Sequence, residues 1–310
     1  VREQLVSHVN SMSEESSAAK WTPETDWSGK LVTKHELIGL PNPLGRRCDF
    51  AAAEPATSTK SIGDLAAWGW RAHPGPLSRL VGMATVILVR HGRTTANVDG
   101  VLAGRAAGVR LDALGREQAA RVGERLAVVP LVGVVSSPLE RCRQTAQLVM
   151  GHQTDSSAMV LDKGLTECDY GQWQGRSLKE LSSEALWSVV QSHPSAATFP
   201  AGESMAAMQA RSVAAIRRHD AAFESQHGPG AVWVAVSHGD VIKSILADAL
   251  GMHLDLFQRI SVGPASVSIV RYGAGRPSVI ATNTDSGDLS WLRASTPADD
   301  APVGGGAGNL

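Results

Sequence analysis

The chain has 310 residues, enough for one large domain or two small ones with a substantial buried core. Its 29 Lys+Arg against 30 Asp+Glu argue against a chain built mainly to hold nucleic acid or an anionic membrane, while leaving room for a local cationic pocket. Three cysteines (Cys48, Cys142, Cys168), an odd count without CxxC spacing, give no disulfide framework or zinc knuckle and fit a reducing compartment.

Residues 1–82 carry four of the eight tryptophans (Trp21, Trp27, Trp68, Trp70) but no sustained helical or alternating pattern, and PNPLG and HPGPL interrupt them with turn formers. Two readings stand. The preferred one is an extension with little fold of its own, the natural start being Met83; the other is an accessory segment docked by its tryptophans. No apolar run reaches the ~18–20 residues that span a membrane, and VREQLVSHVNSMSEESS lacks an apolar signal-peptide core. A cytoplasmic protein is expected.

From residue 84 the pattern becomes regular. The apolar run at 84–90 reads as a strand, followed by a helix over 113–127 and a second strand, LVGVVS, at 131–136. Ser137-Pro138 then reads as an N-cap and first helical position, and Leu139, Cys142, Ala146 and Val149 fall on one face of the helix beyond. AMVL (158–161) precedes the glycine-rich DYGQWQG, and helical segments are expected within 177–192 and 203–226. AVWVAV (231–236) is the third strong strand and is followed by the helix DVIKSILADALG; SVSIVRY (266–272) and SVIATN (278–283) are further strand candidates. The domain is read as 83–285, with 286–310 a flexible tail. Strands 84–89 and 231–236 are continuously apolar, as in strands buried on both faces, and they alternate with helices. The fold class expected is α/β, three-layer α/β/α with a mostly parallel central sheet.

In such sheets ligands bind beyond the carboxyl ends of the strands. Arg90-His91 ends the first strand, Arg141 lies in the first turn after the second, and His238 ends the third. If the strands are neighbours, these groups and the helix N-termini converge on one point, and a phosphate is the natural occupant. Taken singly, each has a plainer reading as a surface charge or a satisfied strand-end histidine. The ordered set strand-RHG, strand-SSPLER, strand-SHG is far more specific.

These pieces, LVRHGRTTAN (88–97), SSPLERCRQTA (136–146), LTECDYGQWQG (165–175) and VSHGD (236–240), resemble the histidine phosphatase superfamily, the phosphoglycerate-mutase-like branch. The resemblance implies that His91 is a nucleophile phosphorylated and dephosphorylated in each cycle, that Arg90, Arg141 and His238 bind the phosphoryl group, and that Glu167 is the proton donor. It also implies polar phosphate contacts from Thr94 and Asn97. No metal or cofactor is expected, and the chain shows no DxD cluster or His-x-His pair. Asp240 competes for the role of acid, since another branch uses an acidic residue just after its second histidine. Gly239 intervenes here and Asp240 opens a helix, so a capping role is preferred for it. Glu203 is likewise read as part of a helix start rather than a substrate contact. Cys142 and Cys168 flank Arg141 and Glu167; burial is preferred over a redox switch.

Family mutases carry a lysine shortly after the glycine-rich loop and then an Arg-Arg pair. Here Leu178 stands at the first position, with Lys179 beside it, and ALWSVVQSHPSAATFP holds no arginine pair. A metal-independent phosphomonoester hydrolase acting on a small phosphorylated metabolite is therefore preferred over a phosphoglycerate mutase-type phosphomutase. A non-catalytic phosphate-binding regulator comes third, because every core position is filled. Arg93, Arg105 and Arg176 are candidates for an anionic part of the substrate, and Gly239 joins the substrate-binding candidates. No nucleic-acid or membrane partner is expected; a homo-oligomer is left open.

Overall fold

The computed structural model describes residues 84–154, 158–272, 275–287 and Gly304, and the backbone of 24–25 and 31–32. The four early tryptophans, Met83 and Cys48 lie outside the described residues, as does nearly all of the tail. The chain divides into two compact units, Val1–Arg71 and Ala72–Leu310. In the first, strands β1 (Glu24–Thr25) and β2 (Leu31–Val32) pair antiparallel.

The second unit is a three-layer α/β/α fold. Its sheet contains β3 (Thr85–Arg90), β4 (Gly133–Ser136), β5 (Met159–Leu161), β6 (Val232–Ser237), β7 (Val267–Arg271) and β8 (Ser278–Thr284), in the order β5-β4-β6-β3-β7-β8. The strands from β5 to β3 run parallel, while β7 and β8 add two antiparallel pairings at the far edge. Strand β3 shows why its apolar run is unbroken. Val86 and Leu88 face one cluster, with Ile216 and Ile245, and Ile87 and Val89 face the other, with Val122 and Val149. A strand covered on both faces needs apolar residues at every position.

Helices α2 (Ala113–Leu126) and α3 (Glu140–Met150) cover one face. Helices α6 (Met205–His227) and α7 (Gly239–Ala249) cover the other. Between β3 and α2 lies the short α1 (Thr95–Val98), and between β5 and α6 lie α4 (Leu178–Leu181) and α5 (Ala185–Ser192). Buried Cys142, Ala146 and Val149 form the expected inner face of α3. The start of α3 differs from the sequence reading. Its N-cap is Leu139, with no side-chain cap; Ser137 Oγ accepts instead from the Leu139 N–H at 3.3 Å and from His238 Nε2 at 2.8 Å. Among the described residues no helix is long and apolar enough to cross a membrane.

Candidate active site

Strand register builds the site. Arg90 of β3 lies opposite Ser237 of β6, so His91 and His238 each follow one residue beyond the ends of two paired parallel strands. The His91 N–H donates to the Ser237 carbonyl at 3.0 Å, and the two imidazole rings meet edge to face with centroids 5.3 Å apart. Strand β4 ends beside them, where the Ser137 N–H donates to the Val236 carbonyl at 2.9 Å. The loop after His91 is fixed by backbone contact with α2. A Cβ on Gly92 would lie 2.2 Å from the Gly115 carbonyl oxygen, and one on Gly115 would lie 2.0 Å from that of Arg93.

Arg141, on the first turn of α3, ties the two histidines together. Its Nε donates to His91 Nε2 at 3.2 Å, and its Nη2 donates to His238 Nδ1 at 3.2 Å and to the Gly104 carbonyl at 2.8 Å. A guanidinium only donates, so both ring nitrogens facing it carry lone pairs. The other nitrogens supply the protons: His91 Nδ1 donates to the Gly92 carbonyl at 2.8 Å, and His238 Nε2 to Ser137 Oγ. Burial, then the charges of Arg141 and Arg90, hold His91 well below the usual histidine range. His238 is lowered in the same way, by burial first and then by Arg141 and His91. Arg141 Nη1 is buried with no hydrogen-bond partner among the described residues, which leaves one cationic donor for an anion. Arg90 is fully buried; it donates to the Val262 carbonyl at 2.8 Å, and burial draws its guanidinium down to about 10.

Glu167 lies on the opposite wall, 3% exposed, with one carboxylate oxygen accepting from the Cys168 N–H at 3.0 Å and the other 3.9 Å from His238 Nδ1. Burial first and the neighbouring Asp240 charge second push its carboxyl up to about 7. Its main chain is clamped from behind: Arg105 Nε and Arg211 Nη2 both donate to the Glu167 carbonyl, at 2.9 and 3.0 Å. Both arginines also pair with Glu203. Glu203 therefore serves as an ion-pair partner, and Ser204 is the N-cap of α6. Asp240 is not a helix cap either. It is the second residue of α7, whose N-cap position is His238 without a side-chain capping bond, and it is buried where it accepts from the Tyr170 hydroxyl at 2.7 Å and the Gly304 N–H at 3.0 Å.

A cavity is lined by His91, Arg141, Glu167 and Tyr170, by Thr94, Ala96, Asn97 and Leu178, by the stretch 100–104, and by Gly304. Thr94 and Asn97 form a capping box at the head of α1. Arg90 and His238 meet the cavity group through Gly304 and Arg141. Four sequence candidates are not brought to it. Arg93 pairs with Asp112 at 2.8 Å, Arg105 is spent on the Glu167 loop, Arg176 pairs with Glu184 at 2.8 Å, and Gly239 is buried as the first residue of α7. The sequence reading missed Tyr170, Arg211 and Gly304. Arg211 had no signal as a lone arginine on a helix, and Gly304 none within a glycine run. Cys142 and Cys168 are both buried, and burial pushes the Cys142 thiol up to about 12, which disfavours its reactive thiolate. Among the described residues no group of His, Cys, Asp and Glu is arranged to hold a metal ion.

Several known proteins are similar to this chain. The probable phosphoglycerate mutase GpmB of Proteus mirabilis is 31% identical over 193 residues, covering 61% of this chain and 86% of that protein. The crystal structure of the alpha-ribazole phosphatase from Shigella flexneri is similar at a TM-score of 0.56 and 28% identity, over 64% of this chain and 96% of that one. Mycobacterial glucosyl-3-phosphoglycerate phosphatase in complex with VO3 gives a TM-score of 0.59 at 25% identity, over 65% of this chain and 99% of that one. A family model of the histidine phosphatase superfamily (branch 1) matches residues 86–285. With His91, Arg141, His238 and Glu167 gathered within that span, the chain belongs to the histidine phosphatase superfamily, branch 1.

Proposed function

We propose that the protein hydrolyses a small phosphomonoester through a phosphohistidine on His91. The observation that carries this reading is the lone pair on His91 Nε2, fixed in a cavity wall by the Nδ1–H bond to Gly92 and the Arg141 contact. A neutral imidazole held in one tautomer is a ready nucleophile for phosphorus. Nε2 forms the new N–P bond as the ester P–O bond breaks. The Arg90 and Arg141 guanidinium groups offset charge on the non-bridging oxygens, which is most of what phosphoryl transfer asks of a protein. Glu167, still protonated near neutral pH, gives its proton to the departing oxygen. The same carboxylate then takes a proton from water as that water attacks phosphorus, freeing phosphate and restoring His91. His238 donates to Ser137 and accepts from Arg141, which holds that arginine in place.

Quenched-flow mixing with a panel of phosphomonoesters at pH 6–7 tests this reading. An acid-labile phosphoenzyme should form and decay to free phosphate in the wild type. It should be absent in His91→Ala, with turnover down about a thousandfold or more. A phosphoenzyme that resists water but discharges onto a second phosphometabolite would make the protein a mutase. Turnover that survives His91→Ala unchanged would remove the histidine from the chemistry.

A further inference from the structure

The identity of the leaving group can be read from the remaining walls of the cavity, given the phosphohydrolase reading above. Beyond His91, Arg141 and Glu167, the lining side chains are the aliphatic Ala96, Val101, Leu102, Ala103 and Leu178, with Thr94, Asn97 and Tyr170 adding hydroxyl and amide groups. Among the described residues no lysine or arginine other than Arg141 lines the cavity. The arginines adjoining these walls in sequence are engaged elsewhere: Arg93 with Asp112 at 2.8 Å, Arg105 with Glu203 at 2.9 Å, and Arg176 with Glu184 at 2.8 Å. Glu167 also lines the cavity, and the Asp240 carboxylate lies behind it, accepting from the Tyr170 hydroxyl. A second anionic group on a substrate would leave water, find no counter-charge, and lie beside two carboxyl groups. An apolar leaving group would instead bury surface against the aliphatic wall.

We infer that the site takes phosphomonoesters of an uncharged, apolar alcohol or phenol and rejects carboxylated and doubly phosphorylated esters. Arg141 and Arg90 are occupied by the transferred phosphoryl group, so among the described residues no further cation lines the cavity for a second phosphate or carboxylate. The aliphatic stretch 101–103 and Leu178 set the preference for what hangs from the ester oxygen.

The test separates binding from turnover. Benzylphosphonate, whose P–C bond is not hydrolysed, is titrated into the full chain by calorimetry beside its 4-carboxy and 4-phosphonomethyl derivatives. Benzylphosphonate should bind about tenfold more tightly than either of these anionic derivatives. Phenyl phosphate and 4-carboxyphenyl phosphate should follow the same order in kcat/KM. Equal affinities, or tighter binding of a charged derivative, overturn the inference. The expected binding order with no turnover and no phosphohistidine would leave the inference standing and remove the phosphohydrolase reading. Turnover with no discrimination would do the reverse. Leu178 is half-buried as the first residue of α4 and packs against the core, so the fold of Leu178→Lys is checked by its urea midpoint before kinetics. This variant should narrow the gap between phenyl and carboxyphenyl phosphate about fivefold. An unchanged gap would show that Leu178 does not face the leaving group.

Discussion

Glu167 and Asp240 are two buried carboxyl groups that the fold treats differently. Asp240 accepts from the Tyr170 hydroxyl and the Gly304 amide. Glu167 accepts a single short bond, from its neighbour's amide, and its carboxyl sits at about 7. If Glu167 is the proton donor, kcat falls as pH rises through about 7, approaching tenfold per unit, and Glu167→Gln loses that limb together with about 10²–10⁴ of kcat. Stability carries the same signature. The unfolded chain releases the Glu167 proton near 4.5 and the folded one near 7, so stability falls across that window as pH rises. Glu167→Gln should therefore stabilise the fold by about 3 kcal/mol above pH 7, and by little at pH 4. Urea titrations at the two pH values measure this. The depressed histidines act in the opposite sense: His91 and His238 stay neutral in the fold, so their contribution is lost as pH drops below 6.5.

At the scale of elements, the contact between the His91 loop and the head of α2 brings two backbones together at Gly92 and Gly115, flanked by the Arg93–Asp112 ion pair. Gly92→Ala would drive a Cβ to 2.2 Å from a carbonyl oxygen that cannot rotate away. The expected cost is about 3 kcal/mol, read as a lowered urea midpoint, with activity lost through displacement of His91. Much of this level was legible beforehand. Strands β3 and β6 announced themselves because burial on both faces forbids polar residues, and the RHG and SHG triplets mark where that constraint ends. Other features left no local trace. Ser137 has the chemistry of a helix cap, and its bond to His238, 101 residues away, is set by the fold rather than by neighbouring sequence. Glu203 finds Arg105 98 residues upstream, a pairing that no helical or strand period encodes. Arg93 and Arg105 looked free for substrate because their acidic partners are set by the fold rather than by neighbouring sequence. Asp240 looked like a cap because its role depends on a hydroxyl 70 positions earlier.

At the scale of the whole molecule, the two strands that end in the histidines, β3 and β6, occupy the middle of a six-stranded sheet. Both edges are more open to water. Val160 and Leu161 on β5 are 45% and 48% exposed, and Ile280 on β8 is 53% exposed. Local opening begins where backbone hydrogen bonds meet solvent and buried contacts are few, so the edges fray first. His91, His238 and the register that joins them sit in the part of the sheet that opens last. The slowest-exchanging amides should be those of 86–89 and 233–236. Turnover and far-ultraviolet circular dichroism should be lost at the same urea concentration, whereas inactivation well ahead of the spectroscopic change would place the weak point at the loops. With the working groups on the innermost strands, an activity assay doubles as a gauge of how much of the population is folded.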